Sequence, residues 1–179
     1  TTWHDHNMRN MYSTIGPSFN EKFAIIGNGV RKDTCSSDTY KKLQTIPNRF
    51  IYTSSPTRGL VRLVEYFHDI HAEFPDAELH IYRGEKEFDG LGKDAKTKLF
   101  KDIAATPYIT YHRSVNNLTQ YELMNEYKKA DIWFYPTTFA EISCDAALMA
   151  QMGECVCVAS DLCGLANTVD NRGVLFPVE

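Results

Sequence analysis

The stretch ADIWFYPTTFAEISCDAALMAQMGECVCVAS, residues 130–160, decides the fold of this chain. It contains two short apolar runs, Ile132–Tyr135 and 155–159, whose length and whose aromatic and β-branched residues predict buried strands. Pro136 ends the first strand, because proline has no backbone N–H to donate to a neighbouring strand. The two runs therefore predict a pair of strands with a connection of about twenty residues between them.

A loop and a helix make up this connection. Residues 144–152 are a predicted helix, and Ser143 is its predicted N-cap, because a serine hydroxyl accepts from the free N–H groups of the first turn. In an open parallel sheet, such a unit places its loop and helix N-terminus at the carboxyl ends of the strands, where ligands bind. Glu141 is the one acid in this loop, so it is the first candidate site residue.

The apolar pattern on both sides of this stretch repeats the alternation of strand and helix. This alternation predicts an α/β fold with a mostly parallel sheet and helices on both faces. Residues 1–20 are a predicted lead-in helix and turn, and residues 23–26 are a predicted strand. Further strands are predicted at 49–53, 78–82, 108–112 and 173–177, and further helices at 54–74, 93–105, 119–130 and 164–169.

Length and charge exclude several classes of protein. A chain of 179 residues is long enough to form one domain with its own apolar core. The net charge is −4 with both signs interspersed, so a basic surface for nucleic acid is not expected. No apolar run is long enough to cross a bilayer and no secretory signal opens the sequence, so a cytoplasmic protein is expected. The five cysteines lack zinc-type spacing, and a reducing compartment is expected.

Common catalytic motifs are absent from the sequence. There is no glycine-rich dinucleotide motif, no P-loop, no serine nucleophile elbow and no zinc-protease motif. His68 and His71 lie three residues apart on a predicted helix and could chelate a metal, but no third ligand accompanies them. We therefore expect neither a metal nor a tightly bound cofactor.

Arg58 stands where a cation is unfavourable. It falls in the predicted first turn of a helix, whose dipole and free N–H groups favour negative charge. A bound anion would reverse that argument, with Arg58 as a clamp and the hydroxyls of Ser54, Ser55 and Thr57 as donors. An exposed arginine reaching back to a carboxylate explains the same residues, and both interpretations stay open. Glu141 has an alternative as well, since an acid near a helix N-terminus complements the dipole without any ligand.

Several groups of residues, taken in order along the chain, resemble a known family. They are Asn28-Gly29-Val30, the run SSPTRGL at 54–60, Ala130-Asp131, Pro136-Thr137, Glu141, Gly164-Leu165, Thr168-Val169 and Gly173-Val174-Leu175-Phe176. Their order and spacing resemble the donor-binding half of a GT-B glycosyltransferase of the retaining family 4, also called glycosyl transferases group 1. The resemblance covers residues 20–177 and implies a Rossmann-like domain.

The resemblance also assigns roles to individual positions. Arg58 matches the basic residue that binds the donor's diphosphate. Glu141 matches the first glutamate of the E-x7-E motif, which hydrogen-bonds hydroxyls of the donor sugar. These two are the expected catalytic residues. The other expected donor-binding groups are Ser54 and Ser55, the backbone N–H groups of Ile142, Ser143 and Cys144 on the phosphates, His112 and Val115 near the base, and Met149 at the second motif position.

Three positions depart from the family pattern. Met149 stands where the second glutamate of the motif is expected, and its side chain cannot accept from a ribose hydroxyl as a carboxylate does. Thr53 replaces a second basic residue, and Asn167 stands where a glutamate is common. These departures leave open a non-catalytic module of the same fold that binds a nucleotide sugar or acts as a scaffold. A sugar-nucleotide epimerase on the same fold is a further alternative.

The reaction that the resemblance implies transfers a glycosyl group from a nucleotide diphosphate sugar to a glycan or other acceptor, with retention and without a metal. Such enzymes work in a cleft between two Rossmann-like domains. We expect residues 21–179 to be the donor-binding domain, residues 1–20 to be a linker or lead-in helix, and the acceptor-binding domain to be absent from this chain. On this expectation the isolated chain is inactive.

Overall fold

The computed structural model describes residues 27–31, 44–113 and 118–178. Within these residues, six strands form one sheet and five α-helices accompany it. The strands are β1 Arg49–Tyr52, β2 Glu78–Tyr82, β3 Ile109–His112, β4 Ile132–Tyr135, β5 Val156–Ser160 and β6 Gly173–Phe176. The helices are α1 Leu60–Glu73, α2 Lys93–Ala105, α3 Gln120–Lys129, α4 Asp145–Met152 and α5 Gly164–Val169. No helix in these ranges is long and apolar enough to cross a membrane.

The sheet is parallel throughout and has the strand order β3-β2-β1-β4-β5-β6. From β1 the chain builds outward to β3, and from β4 it builds outward in the opposite direction to β6. Because parallel crossovers are right-handed, this reversal places α1 and α2 on one face of the sheet and α4 and α5 on the other. The predicted Rossmann-like α/β fold is confirmed. A ligand crevice belongs at the carboxyl ends of β1 and β4, where the direction reverses.

The pairing between β1 and β4 is the shortest in the sheet. It covers two residue pairs, Phe50 with Ile132 and Ile51 with Trp133. Each of the other four pairings covers four residue pairs. The backbone pairing of β1 and β4 therefore stops before their carboxyl ends, where the crevice lies.

Apolar side chains from both halves of the sheet pack into one core. Helix α1 buries a stripe spaced by three and four residues, formed by Leu60, Leu63, Val64 and Phe67. Trp133 of the central strand β4 is fully buried. Burying side chains of this size contributes about 1.5–3 kcal/mol each, so this stripe and strand account for much of the stability of the domain.

Two predicted helix starts are wrong by a few residues. The helix expected after Ser54 begins only at Leu60, because a 3-10 turn, Pro56–Arg58, forms first and Gly59 then takes a φ of 107°. The predicted N-cap Ser143 is wrong as well, since Cys144, with φ −100° and ψ 100°, is the last extended residue before α4. The lead-in helix at 1–20 and the strand at 23–26 lie outside the described residues.

A capping box formed by Thr119 and Glu122 starts α3. The Glu122 N–H donates to Thr119 Oγ1 at 3.2 Å, and the Thr119 N–H donates to Glu122 Oε2 at 2.7 Å. Two free donors at the helix end are thereby satisfied in a reciprocal way. This box fixes the start of α3, the helix that leads into β4.

Two glycines let three loops approach one another at the carboxyl edge of the sheet. A Cβ on Gly59 would overlap the carbonyl of Pro136 and lie 3.2 Å from Thr137 Cα. A Cβ on Gly164 would lie 2.7 Å from the carbonyl oxygen of Glu141, which accepts a hydrogen bond of 2.8 Å from the Gly164 N–H. The loop that carries Glu141 is therefore held between the end of β1 and the start of α5.

Replacing Gly59 by alanine should be more destabilising than its backbone conformation alone explains. Gly92 provides a stringent control, because its φ of 80° and ψ of 157° are tolerated by alanine even less well, but a Cβ there would meet nothing within 4 Å. Both variants carry a backbone penalty, and Gly59→Ala adds an overlap that costs about 1–3 kcal/mol. Urea unfolding of Gly59→Ala and Gly92→Ala checks the difference. A smaller loss for Gly59→Ala than for Gly92→Ala would show that a methyl group at position 59 fits beside Pro136.

Candidate functional site

A cleft of about 720 Å³ lies at the carboxyl ends of β1 and β4. Its walls come from residues 29–31, the loops after β1 and β2, helix α3, the loop between β4 and α4, and helix α4. The sequence predicted eight of its lining residues, Ser54, Ser55, Thr57, Arg58, Glu141, Ser143, Cys144 and Met149. The crevice of the sheet and the predicted residues therefore coincide.

Arg58 and Glu141 form an ion pair across this cleft. The distance from Arg58 Nη1 to Glu141 Oε1 is 2.9 Å, and the exposed fractions of the two side chains are 36% and 7%. The two residues were predicted separately, and the structure brings them into direct contact. The partner that Arg58 was expected to reach, an anion or a carboxylate, is Glu141 in this structure.

The guanidinium of Arg58 has a second neighbour in Phe139. The centre of the guanidinium lies 4.0 Å from the centroid of the Phe139 ring, a cation–π contact. Burial alone would lower the pKa of Arg58, but the Glu141 carboxylate and the Tyr135 hydroxyl raise it above its ordinary value. Arg58 is therefore a permanent cation in the wall of the cleft.

Two successive hydrogen bonds hold the Glu141 carboxylate in place from the side of the core. The Tyr135 hydroxyl donates to Glu141 Oε1 at 2.7 Å, and the Ser54 hydroxyl donates to the Tyr135 oxygen at 3.1 Å. Tyr135 is fully buried, and burial, followed by the nearby carboxylate, raises the pKa of its phenol well above its usual range. The phenol therefore keeps its proton and remains a donor to Glu141.

The N-terminus of α4 faces the same cleft. Its N-cap is Cys144, and burial raises the pKa of that thiol to about 12, so the thiol is neutral at physiological pH. Asp145 occupies the first helical position, and Asn28 Nδ2 donates to its carboxylate at 2.9 Å. The free N–H groups of this helix end follow Cys144, so they begin directly after the predicted set of Ile142, Ser143 and Cys144.

Comparison with known proteins identifies the fold of this chain and no more. No protein-family model matches the chain, and no curated protein sequence matches it. Solved structures do match. The GtfA/B complex is 20% identical with a TM-score of 0.57, over 77% of this chain and 26% of that chain. A UDP-forming α,α-trehalose-phosphate synthase from Burkholderia xenovorans is 12% identical with a TM-score of 0.61, over 79% and 34%. The chain has the fold of a GT-B glycosyltransferase domain.

A third solved structure adds a described reaction. It is a trehalose-6-phosphate synthase, 12% identical with a TM-score of 0.59 over 79% of this chain, reported as a study of enzymatic glycosyltransfer with retention. The chain spans 35% of that protein, 26% of the matched chain of the GtfA/B complex and 34% of the Burkholderia xenovorans synthase. At this level of identity the likeness concerns the fold, and it extends over one part of each of these larger proteins.

Two of the departures from the family pattern can be placed within this GT-B domain. Met149 lines the cleft, where its thioether presents an apolar wall. Thr53 is buried, and its hydroxyl shares a hydrogen bond with the hydroxyl of Tyr127. The position where the family carries a second cation is therefore filled by a neutral internal hydrogen bond.

Two predicted donor-binding residues, Ile142 and His112, are not brought into the cleft. Ile142 is 50% exposed and does not line it. His112 lies on the sheet surface, where its ring stacks on Tyr82 at 4.1 Å and its Nε2 lies 2.9 Å from His80 Nδ1. Val115 lies outside the described residues. Roles for these three residues in binding a donor remain predictions.

Sequence reasoning missed several residues that line the cleft or contact its lining. Tyr135, which contacts Glu141 from the core, was predicted as a strand residue only, and Phe139, Asp145 and Arg83 were given no role. Arg83 lines the cleft and pairs with Glu87 at 3.3 Å. A positional signal was present, because Tyr135 is the last residue of β4 and Arg83 directly follows β2. Residues at the carboxyl ends of parallel strands are the ones that reach such a crevice.

The described part of the chain contains no group of three or more histidine, cysteine, aspartate or glutamate residues that could hold a metal. His68 and His71, the pair considered from the sequence, both contact Tyr108. His68 Nδ1 lies 2.7 Å from its hydroxyl, and the His71 ring stacks on it at 3.6 Å. Ring packing therefore accounts for the positions of both histidines.

The stability of the domain should fall as the pH drops through about 6.5, the ordinary histidine pKa. Burial lowers the pKa of His80, and burial together with the charge of His80 lowers that of His112. The unfolded chain therefore binds more protons than the folded chain in this range, so protonation favours unfolding. Urea unfolding between about pH 7.5 and pH 5.5 measures the loss.

The double variant His80→Gln/His112→Gln is the control for this prediction. Its two amides can still share a hydrogen bond, but they do not titrate. It should therefore lose less stability than the wild-type chain over the same pH range. The same loss in both proteins would mean that other groups cause the pH dependence.

Proposed function

We propose that this chain is the donor-binding domain of a glycosyltransferase, with residues 21–179 binding a nucleotide diphosphate sugar. The observation that carries the proposal is the pairing of Arg58 with the buried Glu141 at the crevice of a GT-B fold. A permanent cation and a buried carboxylate stand side by side at the place where such a sheet binds ligands. These are the charges needed to hold a diphosphate and a polyhydroxylated sugar at adjacent positions.

Arg58 is suited to the diphosphate. Its side chain is 36% exposed, so it can turn from Glu141 toward an incoming phosphate without crossing the core. An arginine offers two parallel N–H groups to a phosphate, which makes the contact directional as well as charged. During transfer, the same charge would stabilise the departing diphosphate, the role that a metal ion serves in other enzymes. The proposed chemistry therefore needs no metal and no cofactor besides the donor itself.

Glu141 is suited to the sugar. Its carboxylate is 7% exposed and acts only as an acceptor, while sugar hydroxyls are donors. A hydrogen bond from a hydroxyl to a buried carboxylate is stronger than one between neutral groups. Glu141 would therefore fix the sugar next to the bond that breaks.

The free N–H groups at the start of α4 and the hydroxyl of Ser55 would complete the phosphate site, whereas the Ser54 hydroxyl donates its proton to Tyr135. Asp145 opposes them, because a negative charge in the first turn repels a phosphate. Its hydrogen bond from Asn28 draws the Asp145 carboxylate toward residues 27–31. The phosphate site is therefore expected to use the side of the helix end nearer Arg58.

Transfer itself would require an acceptor-binding domain as partner. The described cleft holds groups for a donor, and an acceptor would enter from a second domain facing the carboxyl edge of the sheet. Retention of configuration is part of the proposal and is supported by the reaction described for the trehalose-6-phosphate synthase above. We expect the purified chain to bind a nucleoside diphosphate and to transfer nothing to an added acceptor.

A second candidate function is a binding or scaffolding module without catalysis. Two observations favour it, the methionine at position 149 in the cleft wall and the neutral Thr53–Tyr127 hydrogen bond. The two functions differ in one measurement, because joining the chain to an acceptor domain should restore transfer only if the domain is catalytic. An epimerase would need a histidine in the cleft, and no histidine of the described residues lines it.

Titrating UDP, GDP, dTDP and ADP into the chain by calorimetry tests the function and identifies the base. For the nucleotide that binds, Arg58→Ala should weaken affinity by about 1.5–3 kcal/mol, because a hydrogen bond to a charged group is lost. The free nucleoside, which lacks phosphate, should bind both forms equally.

The control for Arg58→Ala is Arg62→Ala, which removes an arginine one helical turn further along, outside the cleft. It should leave the affinity for the diphosphate unchanged. Equal effects of the two variants would indicate a general effect of net charge. No binding of any of the four nucleotides would overturn the proposed function.

Replacing Glu141 by glutamine should affect the sugar and not the diphosphate. Glutamine keeps the size and one acceptor oxygen but removes the charge, so the nucleotide sugar should bind about 1–3 kcal/mol more weakly. The nucleoside diphosphate without sugar should bind almost as before. Calorimetry with both ligands on the same variant gives the two values.

The interpretation of Glu141 as a dipole partner predicts a different result. The unfolding free energy would then fall by up to about 1 kcal/mol, and both ligands would be affected alike. Glu126→Gln is a useful comparison, since Glu126 also accepts from a tyrosine hydroxyl but lies outside the cleft. It should change neither affinity.

A further inference from the structure

Both donors to Glu141 converge on one carboxylate oxygen. Arg58 Nη1 and the Tyr135 hydroxyl reach Oε1, at 2.9 Å and 2.7 Å. Among the described residues, no hydrogen bond reaches the other oxygen, Oε2. The carboxylate is therefore fixed at one end, and the other end remains available as an acceptor.

The two donors differ in how freely they can leave. Arg58 is a long side chain that is more than a third exposed. Tyr135 is fully buried, and its ring lies between Trp133 and Tyr52, with centroids 5.0 Å and 6.1 Å away. Arg58 can move toward a ligand, whereas Tyr135 cannot leave Glu141 without disrupting the aromatic core.

The hydrogen bonds in this network all donate in the same direction, from Ser54 to Tyr135 and from Tyr135 to Glu141. A phenol has a single proton, and Tyr135 uses it on Glu141, so its oxygen is free to accept the proton of Ser54. Accepting from Ser54 polarises the phenol and strengthens the hydrogen bond that it donates. The order Ser54 to Tyr135 to Glu141 therefore directs the proton of the buried Tyr135 hydroxyl at the carboxylate.

We propose that Tyr135 is a positioning residue that holds Glu141 in place when a diphosphate draws Arg58 away. The inference rests on the proposed function. A buried carboxylate that loses the cation paired with it is strongly destabilised unless another donor stays with it. Tyr135 supplies that donor on Oε1, and Oε2 keeps its orientation toward the sugar. The phosphate contact of Arg58 and the sugar contact of Glu141 can then exist at the same time.

The test is Tyr135→Phe, studied with the nucleoside diphosphate that binds in the titration above and with its glucose ester. Without the phenol, releasing Arg58 leaves Glu141 with no donor, so both ligands should bind more weakly. We expect about a threefold loss for the diphosphate and about a tenfold loss for the glucose ester, which also needs the orientation of Oε2. Circular dichroism and a thermal midpoint confirm that the variant is folded.

The decisive measurement repeats this substitution in a Glu141→Gln background. Glutamine carries no charge that needs support, so Tyr135→Phe should then change each affinity by less than about twofold. A purely structural effect of the lost hydroxyl would be the same in both backgrounds, and that result would overturn the inference while leaving the proposed function intact. Failure of the wild-type chain to bind any of the four nucleotides or their glucose esters would overturn both.

Two further variants complete the test. Tyr82→Phe removes the same type of bond, from a buried phenol to Glu126 at 2.6 Å, outside the cleft, and should change neither affinity. Ser54→Ala removes the donor to Tyr135 and leaves the aromatic core intact, so it serves if Tyr135→Phe does not fold. It should weaken the glucose ester about two- to threefold in the wild-type background and leave the Glu141→Gln background unchanged. Equal effects of Ser54→Ala in the two backgrounds would contradict the proposed direction of the network.

Discussion

A 2.9 Å ion pair between Arg58 and Glu141 joins two loops that lie 83 residues apart in the sequence. A carboxylate with 7% of its side chain exposed is unfavourable unless charges and donors compensate it. The positions of the neighbouring groups follow from this requirement. Arg58 supplies the charge, Tyr135 supplies a buried donor, and the Phe139 ring covers the guanidinium. The cleft is therefore organised around one negative charge.

This pairing in turn depends on close contact between backbones. The loop after β1 can approach the end of β4 only because Gly59 has no side chain to meet Pro136. The loop of Glu141 is held on its other side by the hydrogen bond from Gly164. Side chains could not replace these contacts, since a Cβ at either glycine would overlap a backbone carbonyl. The geometry of the charged pair is thus set by the main chain.

Much of the fold could be predicted from the sequence, and the reasons are local. The run Ile132–Tyr135 and the stripe from Leu60 to Phe67 carry their periodicity in the residues themselves. The capping box of Thr119 and Glu122 is equally local. The beginning of α1 was misplaced, because the positive φ of Gly59 reflects contact with Pro136, which is remote in sequence.

The candidate site could be predicted only in part, for a related reason. Arg58 and Glu141 were found one at a time, each from its place beside a helix end. Their contact depends on which strands are neighbours, and strand order is a property of the whole sheet. The hydrogen bond from the Tyr135 hydroxyl to Glu141 was not predicted, because Tyr135 ends an apolar strand and was interpreted as a core residue. His112 was placed near the cleft by resemblance, whereas its ring packs on Tyr82.

The short pairing of β1 with β4 divides the sheet into two three-stranded parts joined by two residue pairs. Arg58 belongs to one part and Glu141 to the other, so a ligand that contacts both would span this seam. The binding energy of the ligand would then help to hold the two parts together at the place where the fewest backbone hydrogen bonds join them. Occupancy of the cleft would thus be coupled to local opening of the sheet, and the domain would unfold more cooperatively with a ligand than without one.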